Sequence, residues 1–178
     1  MTAALRSIGS SGIYVSPIGL GTVKFGRNQG VKYPSGFELP DDRSASNLIA
    51  QAKDLGINLI DTAPAYGSSE MRIGQLLPGN RADWLICTKA GENYEDGQSS
   101  FDFSSSAIRN SVERSLTRLN TDYLDLVLIH SDGQDLDILN NSGAISTLQR
   151  MQSEGMIRAI GMSTKTVDGG LEIGRAHV

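Results

Sequence analysis

The chain has 178 residues, of which 39% are hydrophobic and 20% charged, and its net charge is −4. These values predict one ordinary globular domain, and they argue against a disordered chain or a basic surface that binds nucleic acid. No apolar run approaches the ~20 residues of a membrane helix, and the single cysteine, Cys87, cannot form an internal disulfide. We therefore expect a cytoplasmic protein with neither nucleic acid nor membrane as partner.

Apolar runs, turns and helical stripes alternate along the chain. Residues 5–15 predict a β-hairpin around Gly9-Ser10-Ser11-Gly12, and residues 24–40, which lack apolar periodicity, predict a long loop. Buried strands are predicted to begin at Ile18, Ile57, Trp84, Leu124 and Ile157. Helices are predicted between them, over residues 41–55, 69–76, 105–119 and 144–153, the second ended by Pro78-Gly79.

Two connections are predicted to be polar loops. The first runs from Gly91 to Phe103 and is rich in Gly, Ser and Asp. The second follows His130 and contains three aspartates, Asp132, Asp135 and Asp137, without the glycine and glutamate spacing of a calcium loop. We expect these carboxylates to be solvated, and no metal site is predicted.

The repeated β-α pattern predicts a parallel sheet with right-handed connections. Two architectures remain open, a doubly wound sheet and a (β/α)8 barrel. No G-x-G-x-x-G turn follows the first strand, which disfavours a dinucleotide-binding open sheet. Five β/α units do not complete a barrel either, since a barrel takes about 250 residues.

Four polar residues are predicted at the carboxyl ends of the strands or just beyond them. They are Asp61 after the second strand, Tyr66 in the next loop, Lys89 closing the third strand and His130 after the fourth. Taken singly, each has an ordinary structural explanation, such as a helix cap, a packing aromatic, a surface charge or a hydrogen-bonded imidazole. Because parallel strands end at one edge, their joint placement favours a functional site.

The chemistry of these residue types suggests proton transfer to an oxygen. A tyrosine with a pKa near ~10 is a weak acid, and a neighbouring ammonium is expected to lower that pKa and make the hydroxyl a usable donor. A carboxylate would hold the ammonium, and a histidine could orient a carbonyl or relay the proton. No serine or cysteine is placed as a nucleophile, so hydride transfer from a cofactor fits better than acyl transfer.

The motif around Asp61 resembles the signature of the aldo-keto reductase family. The matching residues are 55–63, Leu-Gly-Ile-Asn-Leu-Ile-Asp-Thr-Ala, followed by Tyr66-Gly67-Ser68-Ser69-Glu70 and Gly74. Lys89 in Cys-Thr-Lys and His130 in Leu-Ile-His-Ser are similar to that family's lysine and histidine. The resemblance implies a (β/α)8 TIM barrel, of which only about the first five β/α units are present, behind an N-terminal β-hairpin. It also implies NADPH, with NADH possible, and reversible reduction of a small aldehyde, ketone or sugar carbonyl to the alcohol.

The resemblance also implies roles for individual residues. Tyr66 would be the general acid/base, Lys89 and His130 would tune it, and Asp61 would hold Lys89. The cofactor would be bound by Gly21, Thr22 and Asp61 near the nicotinamide ribose and by Ser163 and Thr164 at the carboxamide. The commoner family sequence has asparagine where this chain has Thr164.

The end of the chain departs from the family pattern. Residues 173–178, Ile-Gly-Arg-Ala-His-Val, correspond to one reading frame of a common sequencing adapter. We therefore expect residues 1–166 to form an incomplete barrel domain and residues 167–178 to be a non-native read-through tail, so that His177 is not a ligand. Such a shortened chain is expected to be poorly stable and nearly inactive. Two alternatives to an active enzyme stay open: a cofactor-binding regulatory module and an inactive fragment of such an enzyme.

Overall fold

The computed structural model describes residues 4–31, 33–77 and 81–175. Within these ranges the strands, in chain order, are β1 (Arg6–Ser7), β2 (Tyr14–Val15), β3 (Leu20–Gly21), β4 (Leu59–Asp61), β5 (Leu85–Ala90), β6 (Glu92–Glu95), β7 (Gln98–Phe101), β8 (Leu124–His130) and β9 (Ile157–Ser163). Strands β1 and β2 pair antiparallel, which confirms the predicted N-terminal hairpin.

Five of these strands form one parallel sheet with the order β3-β4-β5-β8-β9. The spatial order of these strands is the same as their order along the chain. This is the order of a barrel, whereas the strand order of a doubly wound sheet reverses. The fold is therefore part of a (β/α) barrel, as the family resemblance implies. Strands β3 and β9 are the two outermost strands of this sheet.

The helices, in chain order, are α1 (Val23–Gly26), α2 (Asp42–Asp54), α3 (Ser69–Leu76), α4 (Ser105–Arg118), α5 (Asp135–Asn141), α6 (Ala144–Ser153) and α7 (Val167–Arg175). Short 3-10 turns cover Pro64–Tyr66 and Arg81–Asp83. The four predicted helices are confirmed, although the predicted stop at residues 78–79 lies outside the described residues. No helix in the described part of the chain has the length and apolar content needed to cross a bilayer.

The core lies between the sheet and the helices that cover it. Apolar side chains of the sheet pack against one stripe of each main helix, and all of them are fully buried or nearly so; they include Ile60, Ile86, Val127 and Ile129 from the sheet and Ile49, Ile108, Leu148 and Met151 from the helices. Asp41 caps α2, because its carboxylate accepts a 2.7 Å hydrogen bond from the Ser44 amide. The spacing of apolar residues thus positions the strands, and the strands position their polar ends.

The segment from Gly91 to Phe103 is a β-hairpin, so its prediction as a loop is wrong. Strands β6 and β7 pair from Glu92 with Phe101 to Glu95 with Gln98. The two connecting residues, Asp96 and Gly97, both have positive φ, +49° and +82°, as a type I′ turn requires. The strands are mostly polar and partly exposed, so they lack the apolar alternation by which strands are predicted.

The segment from residue 24 to 40 differs in part from its prediction as a loop. Helix α1 ends at Gly26 and so overlaps the beginning of the predicted loop. Residues 167–175, predicted to be a non-native tail, form helix α7, which lies against α5. The boundary at residue 166 stays a prediction.

Asp135 is the exception among the three aspartates predicted to be solvated. It is only 1% exposed, whereas Asp132 and Asp137 are exposed as expected. One carboxylate oxygen accepts from the Ser131 hydroxyl, and the other accepts from the Lys165 amide at 2.9 Å and from the Thr166 amide and hydroxyl, each at 2.7 Å. This carboxylate joins the connection after β8 to the connection after β9.

We expect Asp135→Asn to lower the free energy of unfolding by about 1–3 kcal/mol, because an amide cannot accept all of these bonds. Burial raises the Asp135 pKa, but the bonds from Ser131 and Thr166 outweigh burial and leave the pKa below its ordinary value. The carboxylate therefore stabilises the fold fully at any pH above the ordinary aspartate pKa. This contribution is lost as the pH falls through the folded-state pKa. The free energies of unfolding of the wild type and of Asp135→Asn, measured by urea titration, should therefore converge in acid. An equal loss in the control Asp137→Asn would contradict the assignment.

Candidate active site

The carboxyl ends of the parallel strands bring the predicted site residues to one edge of the sheet. The register pairs Gly21 with Asp61, Asp61 with Cys87, Lys89 with Leu128 and His130 with Ser163. Residues far apart in sequence are thus neighbours in space, as the parallel pattern predicts.

Tyr66 reaches this edge from the 3-10 turn Pro64–Tyr66, which follows β4. Gly67 ends the turn with a φ of +61°, and a Cβ at this position would lie 2.2 Å from the Gly26 carbonyl oxygen. Only glycine allows α1 to approach the turn so closely. The contact positions the backbone that carries Tyr66.

Lys89 and Asp61 form the central ion pair. The Lys89 Nζ atom lies 2.8 Å from both Asp61 carboxylate oxygens and 2.9 Å from the Thr62 carbonyl oxygen. Burial lowers the Lys89 pKa, but the charge of Asp61 and the proximity of Tyr66 outweigh burial and raise the pKa above its ordinary value. Lys89, which is only 5% exposed, is therefore a cation at neutral pH.

The half-buried ring of Tyr66 lies next to this cation, with its centroid 5.0 Å from Lys89 Nζ. Burial raises the Tyr66 pKa, and the Lys89 charge and hydrogen bond lower it without cancelling the rise. Lys89 therefore lowers the Tyr66 pKa, as predicted. The predicted net lowering of that pKa is wrong, because the effect of desolvating the phenolate is larger than the effect of Lys89. The Tyr66 hydroxyl is protonated at neutral pH in this structure and can serve as a donor.

His130 lies edge-on to Tyr66, with ring centroids 6.4 Å apart and an interplanar angle of 85°. Its Nδ1 atom is 2.8 Å from Glu92 Oε2, although the ring N–H is not aligned on that oxygen. Sequence reasoning missed Glu92, because β6 was predicted to be part of a loop. The signal that could have found it is the Asp96-Gly97 hairpin turn.

The residues predicted to bind a cofactor differ in how they face the site. A Cβ on Gly21 would meet no atom within 4 Å, and the Asp61 side chain is 38% exposed. Ser163 and Thr164 are also partly exposed, and Ser163 is the register neighbour of His130. The exposed carboxylate and the two hydroxyls are groups that can hydrogen-bond the ribose and carboxamide of a nicotinamide nucleotide.

Thr22 does not fit a direct cofactor contact. Its side chain is fully buried, and its hydroxyl donates to the Asp61 carbonyl oxygen at 2.9 Å. The same hydroxyl accepts from the Ser69 hydroxyl at 2.8 Å. Both hydrogen-bonding functions are satisfied inside the protein, so Thr22 joins the ends of β3 and β4 to helix α3.

Cys87 is buried beneath the site, and we expect it to be unreactive in the folded chain. Burial, together with the charge of Asp61, raises the pKa of its thiol to about 12. Alkylation by iodoacetamide at mildly alkaline pH should be slow in the native chain and fast in urea, with free cysteine as the reference for the reagent. Equal rates in both states would show that the thiol is accessible and that this prediction is wrong.

A family model described as the aldo/keto reductase family matches residues 17–173. The chain belongs to this family. L-galactose dehydrogenase of Arabidopsis thaliana is 35% identical over 170 residues, which is 92% of this chain and 49% of that protein. The NADH-specific methylglyoxal reductase of Escherichia coli is 33% identical over 174 residues, which is 90% of this chain and 52% of that protein.

Solved structures of aldo-keto reductases agree with the fold. One from Pseudomonas aeruginosa is 60% identical, with a TM-score of 0.88, and this chain covers 65% of it. The holo form of one from Bacillus halodurans is 30% identical, with a TM-score of 0.77 and 53% coverage. In both cases nearly all of this chain is matched, 97% and 96% respectively. The chain spans about half the length of the curated relatives it matches.

These findings confirm the family and the partial barrel fold. The roles of Asp61, Tyr66, Lys89 and His130, and those of the residues assigned to the cofactor, stay predictions.

Proposed function

We propose that this chain carries the acid/base half of an NADPH-dependent reductase that converts an aldehyde, ketone or sugar carbonyl reversibly to the alcohol. The observation that carries the proposal is the Lys89 ammonium, held by Asp61 and lying next to the ring of the half-buried Tyr66. The names of two relatives, a sugar dehydrogenase and a methylglyoxal reductase, support a small carbonyl or alcohol substrate.

In this proposal Tyr66 is the general acid of reduction. Its hydroxyl gives a proton to the substrate oxygen as negative charge develops there, and the reverse transfer accompanies oxidation of the alcohol. Lys89 stabilises the phenolate that remains, and Asp61 keeps Lys89 charged and in place. His130 donates a hydrogen bond to the same oxygen and so orients it. The bound nicotinamide nucleotide supplies or accepts the hydride.

The nicotinamide end of the cofactor would be held by Gly21, Asp61, Ser163 and Thr164. We assign Thr22 an indirect role, because its hydroxyl is already bonded to the backbone of Asp61 and to Ser69. NADPH is the proposed reductant, and NADH is the alternative, since one relative is named as specific for NADH.

Cofactor binding and turnover of the full chain test this proposal, and measurable turnover would overturn the expectation of a nearly inactive chain. NADPH or NADH fluorescence would be titrated first, and oxidation of the cofactor would then be followed with methylglyoxal and with aldoses. Oxidation of the cofactor accompanied by formation of an equal amount of alcohol would support the proposed reductase activity. Binding without turnover would contradict it in favour of a cofactor-binding regulatory module. Neither binding nor turnover would contradict it in favour of an inactive fragment.

A further inference from the structure

The pairing of β8 with β9 stops at the edge of the sheet where the proposed site lies. His130 and Ser163 form the last register pair, so the connections that follow the two strands are no longer joined by the ladder. The buried carboxylate of Asp135 joins them instead. The Ser131 hydroxyl donates to one of its oxygens from the connection after β8, and the amides of residues 165–166 donate to the other from the connection after β9.

Helix α7 approaches Asp135 as closely as a glycine permits. A Cβ on Gly169 would lie 2.3 Å from the Asp135 Cβ atom and 2.5 Å from its Oδ2 atom, so a larger residue does not fit without a shift. The Thr166 hydroxyl donates to Asp135 at 2.7 Å and accepts from the Gly169 amide at 3.1 Å. The same carboxylate therefore also holds the first turn of α7 against the connection after β8.

Thr164 lies between two fixed points of the backbone. Before it, Ser163 is paired with β8, and after it, the Lys165 amide donates to Asp135 at 2.9 Å. The side chains of Ser163 and Thr164 are partly exposed, and neither hydroxyl has a hydrogen-bond partner within the described residues. Both hydroxyls can therefore bond a ligand, whereas the backbone that carries them is held on either side.

We propose that Asp135 is a positioning residue for the nicotinamide nucleotide, because it holds the backbone that follows β9 and so fixes the hydroxyls of Ser163 and Thr164 where the cofactor binds. A binding segment that is already ordered does not have to be ordered by its ligand, and affinity is higher for that reason. The cofactor part of this proposal rests on the proposed function. The backbone part does not, since it concerns bonds within the chain.

Hydrogen exchange of the full chain, measured by NMR without added cofactor, tests the backbone part. In Asp135→Ala the amides of Lys165 and Thr166 lose their acceptor, so we expect them to exchange at least about 10-fold faster than in the wild type. Unchanged exchange at these two amides would overturn the proposal.

The matched control is Asp125→Ala, which removes an equally buried carboxylate near the other end of β8. Asp125 is 1% exposed, and it accepts from the Ile86 amide at 3.0 Å and pairs with Arg81 and Arg158. This control should also lose stability, but its faster exchange should include the Ile86 amide and leave residues 165–166 unchanged. Equal acceleration of residues 165–166 in both variants would reduce the effect of Asp135 to general destabilisation and overturn the proposal.

Fluorescence titration with NADPH tests the cofactor part, at a temperature at which circular dichroism shows both variants to be folded. The Kd of Asp135→Ala should be about 10-fold higher than that of the wild type, the loss expected when one hydrogen bond to the ligand is no longer made. Asp125→Ala should keep the wild-type Kd, because lower stability alone does not weaken binding to molecules that stay folded. An unchanged Kd in Asp135→Ala, or an equal rise in both variants, would refute the positioning role.

The two measurements separate this proposal from the proposed function. A wild type that binds no NADPH would refute the proposed function and the cofactor role of Asp135, and the exchange rates would still decide whether Asp135 holds residues 165–166. A wild type that binds NADPH no better than Asp135→Ala would refute the positioning role alone. If Asp135→Ala does not fold, Thr166→Val removes one donor to the carboxylate without changing the size of the side chain. It should raise both the exchange rates and the Kd, and no change in either would refute the proposal.

Discussion

Tyr66→Phe is expected to lower carbonyl reduction by about 10²- to 10⁴-fold, because it removes only the proton donor. The structure gives a physical reason for a large effect. Burial keeps the Tyr66 hydroxyl protonated, and Lys89 beside its ring can stabilise the phenolate left after proton transfer. Phenylalanine retains the ring packing against His130 and Lys89 but cannot supply a proton.

The measurement is the rate of cofactor oxidation by variant and wild-type chains at equal concentration, accompanied by a cofactor titration. Cofactor affinity should not change, since none of the residues assigned to the cofactor is altered. Tyr123→Phe is the matched control, because Tyr123 lies just before β8, at the opposite edge of the sheet from the site. A Tyr66→Phe chain that keeps wild-type turnover would refute the acid/base assignment, and so would an equal loss in the control.

The parallel sheet and its polar rim could be predicted because the sequence signals are local and repetitive. Strands β4, β5 and β8 are apolar runs with a polar residue at or next to their carboxyl ends. Parallel pairing then places Asp61, Lys89 and His130 at one edge without further information. The family signature adds Tyr66, which lies in a turn and has no periodic signal of its own. Most of the predicted site is therefore brought together by the parallel pairing of the strands.

The features that sequence reasoning missed depend on contacts between distant segments. Asp135 looks like a loop aspartate until the connection after β9 supplies donors to its carboxylate. Glu92 lies in a strand whose polar residues show no apolar alternation, and its importance is visible only once His130 is beside it. The net direction of the Tyr66 pKa also depended on burial, which no charge pattern in the sequence reveals.

Asp61→Asn should destabilise the fold more than Lys89→Met, although the two substitutions remove the same ion pair. The reason is the asymmetry of exposure, since the Lys89 side chain is 6% exposed and that of Asp61 is 38% exposed. Removing Asp61 leaves a buried ammonium with the Thr62 carbonyl oxygen but no carboxylate. Removing Lys89 leaves a carboxylate that water can reach. We expect Asp61→Asn to lower the free energy of unfolding by about 2–3 kcal/mol, and Lys89→Met by less than about 1 kcal/mol.

Urea unfolding of the two single variants and the double variant measures this asymmetry. Adding Lys89→Met to Asp61→Asn should restore most of the lost stability, because no buried charge then lacks its partner. The pH dependence provides a second check. The Lys89 pKa is raised in the folded chain, so the stabilisation by the pair is complete below the ordinary lysine pKa of about 10.4 and is lost as the pH rises through the folded-state value. The advantage of the wild type over Asp61→Asn should therefore persist through neutral pH and shrink only in strong alkali. Equal destabilisation by the two single variants would mean that Lys89 is hydrated, and the burial on which its proposed role depends would be wrong.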